Sequence, residues 1–279
     1  VGTFTNQAGI SIENFRLITE ALKNERYQEE LKSAQRVQQS LLPANLEQDP
    51  DYEIVSFSEA ADEVGGDYYD TYRVGDNRIA LIISDVSGKG TSAAFHMSQM
   101  KGVFQSLAQL NLDPTEFLFR SNSALSRCLD KNSFITTSYF VIDSSDRRVD
   151  FTRAGHCPTL YYNSREQKAH YFKNKGLGLV IVRNDSYRDY IHTNHFHYNG
   201  GDIMLLYTDG ITEATNRQGD EFGYDRLLQA VERLQDRTVE EIQQSLIEEL
   251  YAFTGSKTIN DDYTMIIVKF NESKTKSVM

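Results

Sequence analysis

The chain has 279 residues, and 40 Asp and Glu against 29 Lys and Arg give a formal charge of -11. Nucleic-acid binding draws most of its affinity from clustered cations, and the bases here do not cluster, so no nucleic acid is expected as a partner. With 39% apolar residues, 15 Phe and 16 Tyr, the chain can fill one large core, and one main domain plus an appendage is expected.

At the N-terminus, Val1-Gly2-Thr3-Phe4 has neither an initiator Met nor the blocks of a signal peptide, and the chain reads as a cut from a longer protein. From Ser11 to Leu42 there is no Pro or Gly, which predicts a long helix ended by Pro43. Its apolar residues fall into two frames. Phe15, Ile18 and Leu22 form one; Tyr27, Leu31, Ala34 and Leu41 form the other once a polar Gln38 is allowed. The phase slips between Leu22 and Tyr27, as at a coiled-coil discontinuity. The alternative is a single amphipathic helix lying on its own domain.

After Pro50, strands are predicted over 52–58, 68–74 and 78–84, and their short connections favour antiparallel pairing. Helices follow over 91–109 and 114–130, the second capped by Asp113 ahead of Pro114. Further strands are predicted over 134–143, 148–153, 159–162, 190–197 and 202–207, then helices over 224–235 and 239–252 and a last strand over 263–270. Strand blocks separated by helix pairs describe an α+β layered domain. No apolar run exceeds about five residues, far below the roughly 20 that cross a bilayer, so no membrane span is expected. Cys128 and Cys157 make no disulfide framework and read as small buried apolar residues in a reducing, cytoplasmic compartment.

Four acidic positions stand at strand ends beside glycine or another acid: Asp67, Asp85, Asp209 and the pair Asp261-Asp262. Singly, each is explained by a turn. Asp85 and Asp209, however, each follow a strongly apolar strand, which would deliver them to the end of a core strand. If these ends converge, the carboxylates repel one another unless cations neutralise them, and an oxygen-only donor set favours Mg²⁺ or Mn²⁺ over Zn²⁺.

The motifs QRVQQSLLP (35–43), VGGDYYD (64–70), SDVSGKG (84–90), AGHCP (154–158), YTDGITEA (207–214) and DDYT (261–264) stand in order. Together they resemble the SpoIIE/RsbU-type branch of the PPM (protein phosphatase 2C-like) serine/threonine phosphatases. The resemblance covers about residues 34 to 270 and implies an α-β-β-α sandwich of two mainly antiparallel sheets flanked by helices, preceded by the long N-terminal helix. It implies two Mn²⁺ or Mg²⁺ ions, with Asp85 bridging them, the Val86 carbonyl binding one, and Asp67, Asp209 and Asp261 completing the shell. Asp261 is preferred to Asp262 because the family's last motif begins with the ligand. Metal-activated water would then hydrolyse the phosphate monoester.

Eukaryotic members of the superfamily carry an Arg shortly before the first acidic motif to hold the phosphate; Asp62-Glu63-Val64-Gly65-Gly66 has none. Lys89 is the candidate substrate-binding substitute, with a surface lysine as the alternative. The family implies a phosphoserine or phosphothreonine substrate on a STAS-domain, anti-anti-sigma-type protein, hence partner switching and sigma-factor regulation. A catalytically silent phosphoprotein-binding scaffold is the alternative. Residues 8–17 resemble the closing helix of a GAF sensor domain. This divides the chain into a transmission helix (1–45) below an upstream sensor, a phosphatase domain (46–272) and a tail (273–279), with homodimerisation through the helix. His192, His195 and His197 read as a solvated strand, and His156 as structural or close behind the ligands. Ser87 and Ser92 lack a nucleophile frame. Thr136 and Asn122 read as packing or capping, and Glu213 as a helix-start acid, with a place close behind the ligands as the alternative.

Overall fold

The computed structural model describes residues 2–257 and 260–272, the side chains of residues 2–12 excepted. The tail over 273–279 lies outside the described residues, and so do the side chains of the first half of the segment resembling a GAF helix. Two five-stranded sheets face one another. One has the order β1 (Tyr52–Glu59), β10 (Tyr263–Phe270), β9 (Ile203–Tyr207), β6 (Leu160–Asn163), β7 (Lys168–Tyr171). The other runs β2 (Tyr68–Gly75), β3 (Arg78–Val86), β4 (Ile135–Asp143), β5 (Arg148–Ala154), β8 (Asn194–His197), and every strand pairing in both is antiparallel. Helices α2 (Gly90–Ala108) and α3 (Pro114–Leu125) cover the second sheet, and α5 (Gly223–Leu234) and α6 (Val239–Thr254) cover the first. This is the α-β-β-α sandwich that the motifs imply.

The two-residue period of the strands sorts their side chains into layers. In β3, Ala80, Ile82 and Val86 face α2 and α3, whereas Ile79, Leu81 and Ile83 face the opposite sheet. In β9 and β10 the inter-sheet face carries Met204 and Leu206, and Ile266, Val268 and Phe270. Tyr69 of β2 joins the same layer. Extending these alternations by one step places Asp67, Asp85, Thr208 and Thr264 on the inter-sheet face at one end of the sandwich, where the apolar filling stops.

Several expectations need correction. The predicted helix over 114–130 ends at Leu125, so Cys128 falls beyond it and is exposed, while Cys157 is half-buried; neither is the fully buried small residue expected. The predicted strand over 190–197 begins only at Asn194, because Asp185–Tyr190 forms a 3-10 helix whose start is capped by the Asn184 side chain. The short strand β7 and the one-turn helix α4 (Asp209–Thr212) have no counterpart in the sequence reading. Helix α3 is capped as read, with Asp113 accepting from Thr115 and Glu116 N–H.

The N-terminal helix α1 (Gly2–Leu41) starts earlier than Ser11 and is continuous across the phase slip. Its two frames have different fates. Phe15, Ile18 and Leu22 are 74%, 59% and 60% exposed, whereas Ala34, Gln38 and Leu41 line an apolar groove together with Val64, Ala94 and Phe95. Gln38, the polar residue in that frame, is buried because its side chain is a backbone clamp. Its Oε1 accepts from Gly65 N–H at 3.0 Å and its Nε2 donates to the Gly65 carbonyl. Gln38→Leu leaves both Gly65 groups without a partner and is expected to cost about 1–3 kcal/mol; an unchanged urea midpoint would contradict the clamp.

Candidate metal centre

Asp67 follows two glycines hemmed in by the Val86 backbone and the Asp262 side chain. A Cβ on Gly66 would stand 2.9 Å from the Val86 carbonyl oxygen, and one on Gly65 would stand 2.4 Å from Asp262 Oδ2. Thr208 Oγ1 donates to Asp67 Oδ2 at 2.8 Å and itself accepts from Thr264 N–H at 2.9 Å. Asp70, in the same motif, anchors α2. Its carboxylate accepts from Tyr68 Oη, Lys101 Nζ and Gln105 Nε2 at 2.8, 3.2 and 2.7 Å.

Asp85 ends β3 opposite Thr136 of β4, and the Thr136 hydroxyl lies 3.0 Å from Nδ1 of the buried His156. Burial and the Arg153 guanidinium hold that imidazole neutral, down at about 3. Asp209 opens α4, and a Cβ on the following Gly210 would stand 2.0 Å from the Asp262 carbonyl oxygen. The two acids of the last motif divide their work. Asp262 accepts from Ala61 N–H at 2.9 Å and from Gly66 N–H at 2.5 Å, so it ties the final motif to the first. Asp261 is half exposed, pairs with Lys89 Nζ at 3.1 Å and faces an open cleft. Lys89 also donates to the Asn260 carbonyl at 2.8 Å.

The electrostatics follow from this crowding. Burial, then the Asp85 charge, pushes the Asp67 carboxyl well above the usual range against the opposing bonds from Thr264 and Thr208. Burial and the fields of Asp209, Asp261, Asp262 and Glu213 push Asp85 up to about 7. Asp209 is raised by burial and Asp261, and Asp262 by burial. Among the described residues, no Lys or Arg pairs with Asp67, Asp85 or Asp209. Below the raised values protons neutralise this set; above them it carries charge that a cation from outside would offset.

The donors fit a hard divalent ion. All are oxygens, and the Gly66 cradle keeps the Val86 carbonyl approachable from the side of Asp67. Among the described residues, no group of three His, Cys, Asp or Glu converges tightly enough to hold one ion by itself. The structure thus brings Asp67, Asp85, Asp209 and Asp261 to one end of the inter-sheet layer, with Val86 beside Gly66 and Lys89 bound to Asp261. His195 and His197 lie on the exposed face of edge strand β8, and His192 is exposed before it. Asn122 holds the 180–182 segment through Val180 N–H and the Val182 carbonyl. The backbone role of Asp262 was missed, and its only sequence signal was adjacency to Asp261.

The family described as Stage II sporulation protein E (SpoIIE) matches residues 75–271, and the chain belongs to that family, within the PP2C-type (PPM) phosphatases. Phosphoserine phosphatase RsbU of Bacillus subtilis (strain 168) is 28% identical over 246 residues, covering 87% of this chain and 71% of the relative. The chain spans 44% and 46% of the length of two further curated relatives. The SiaA-PP2C domain of Pseudomonas aeruginosa superposes with a TM-score of 0.74 at 18% identity, over 89% of this chain and 98% of that one. RsbX in complex with magnesium superposes at 0.62 and 19% identity, over 81% and 99%. Among the described residues, no helix is long and apolar enough to cross a membrane.

The raised carboxyls carry a sign. A carboxyl whose folded value lies above its unfolded one binds extra protons in the folded state, so stability is fullest below about pH 4 for that group and is lost as pH rises through the folded value. For Asp85 the window runs from 3.8 to about 7. In metal-free protein, the stability difference between Asp85→Asn and wild type should grow in favour of the variant across that window, as read by thermal unfolding from pH 5 to 8. A difference that stays flat would refute the crowding.

Proposed function

We propose that the chain is a divalent-metal-dependent serine/threonine protein phosphatase of bacterial signalling. The observation that carries this reading is the gathering of Asp67, Asp85, Asp209 and Asp261 at one end of the inter-sheet layer, the first three without an ion pair to Lys or Arg among the described residues. The similarity to RsbU supports phosphoserine or phosphothreonine as the substrate group. A STAS-type, anti-anti-sigma partner protein, and with it partner switching, follows from the family resemblance.

When bound, two Mn²⁺ or Mg²⁺ ions would acidify a water for in-line attack on phosphorus and offset charge on the phosphoryl oxygens. In our assignment Asp85 is the shared ligand, Val86 contributes its carbonyl, and Asp67, Asp209 and Asp261 complete the shell. Asp261 is favoured over Asp262 because two backbone N–H groups already occupy the Asp262 carboxylate. Thr208 fixes the Asp67 rotamer, and Lys89 limits repulsion at Asp261. Burial above all, and then the fields of Asp209 and Asp85, push the Cys157 thiol up and keep it protonated, the opposite of an activated thiolate.

Hydrolysis of an aryl phosphate with Mn²⁺ tests the reading. Asp85→Asn should lower kcat by at least about a hundredfold, and a chelator should abolish turnover reversibly. Protein that binds Mn²⁺ yet stays inert toward both an aryl phosphate and a phosphoserine protein would instead be the scaffold.

We assign residues 1–45 to signal transmission from an upstream sensor, 46–272 to the phosphatase domain and 273–279 to a tail. The exposed Phe15, Ile18 and Leu22 on α1 support homodimerisation through that helix. Sedimentation should show a concentration-dependent dimer that Ile18→Asp weakens by about tenfold or more; a monomer at all concentrations would refute it.

A further inference from the structure

The centre described above is rich in anions, yet the substrate it must admit is itself an anion. Beside Asp261 opens a cleft of about 420 Å³ whose wall includes Lys89, Gly210, Glu213, Asn216, Arg217 and Asp261. The two cations on that wall differ in what they are already doing. Lys89 directs its ammonium at Asp261 Oδ2 and the Asn260 carbonyl. Arg217 makes no hydrogen bond or ion pair among the described residues.

The base of Arg217 is nevertheless rigid. Asn216 Oδ1 accepts from Gln218 and Asp220 N–H, both at 2.9 Å, and Asn216 N–H and the Asp220 carbonyl close the same turn at 3.0 Å. Thr215 and Glu221 form a bridge at its foot. The guanidinium lies across Gly255, the left-handed cap of α6. A Cβ there would be 3.5 Å from Nε and 3.8 Å from Nη2 of Arg217. A fixed stem, an unengaged fork and a neighbouring anionic centre form the arrangement that recognises a phosphoryl group through paired N–H donors.

We infer that Arg217, from the turn that follows α4, grips the phosphoryl group of the substrate in the cleft beside Asp261. The inference rests on the phosphatase reading and supplies the cation that the stretch before the first acidic motif lacks. It also accounts for a turn held by its own backbone while its longest side chain is left free.

The test uses the full chain with Mn²⁺, an aryl phosphate as substrate and inorganic phosphate as competing product. Arg217→Ala should raise KM about ten- to hundredfold and weaken phosphate inhibition by a similar factor, with kcat changed much less. Arg217→Lys should restore part of both, because it keeps the charge and loses the fork. The Mn²⁺-induced rise in unfolding temperature should be the same in all three proteins. Wild-type KM and phosphate inhibition in Arg217→Ala would overturn the inference, and so would a loss of the Mn²⁺ response, which would mark Arg217 as a structural support for α6. An inert wild-type protein would instead bring down the phosphatase reading itself.

Discussion

Mutual repulsion among acids at the open end of the inter-sheet layer is the constraint around which the structure is organised. The layer is filled by Ile79, Leu81, Ile83, Leu206, Ile266 and Val268 until the strands run out. There the same alternation delivers Asp67 and Asp85 in place of further apolar side chains. Burial raises both carboxyls, and each neighbouring acid raises them again. A fold that relied on its own contacts alone would place apolar residues at these positions. Their presence makes sense as a site completed by cations from solution.

Much of the surrounding backbone serves this crowding. Gly65, Gly66 and Gly210 let two chain segments approach Asp262 and the Val86 carbonyl more closely than any side chain would allow. Asp262 holds the first motif to the last by accepting from Ala61 and Gly66. Gln38 extends the same network outward by clamping Gly65 from α1. The last turn of α1 thus touches the Gly-Gly-Asp segment through the Gln38 amide and the two peptide groups flanking Gly65, beside the packing of Leu41 and Leu42 on the core.

The two ends of α1 illustrate how far a periodic pattern can be read. Both apolar frames were visible, and so was the slip between them. What the pattern could not say is that Ala34, Gln38 and Leu41 pack on the chain's own domain while Phe15, Ile18 and Leu22, and Tyr27 at the start of the second frame, stay exposed. Gln38 in an apolar seam was a signal, but its partner lies 27 positions away and is a backbone group, so no side-chain pairing rule points to it. Asp262 posed a similar problem. Adjacent acids in a turn look interchangeable until one is seen to accept two backbone N–H bonds while the other faces a cleft beside Lys89.

The sequence by itself determined the layered α+β class, most strand and helix positions, and the six ordered motifs that mark the family. Those properties reside in local periodicity, capping chemistry and short runs of residue types. Only the tertiary structure decided which carboxylates share one pocket, which acid of the last pair is tied to the backbone, and which cation beside them is left unengaged. These are contacts between segments up to about two hundred positions apart, set by how two twisted sheets stack, and no local preference along the chain encodes them.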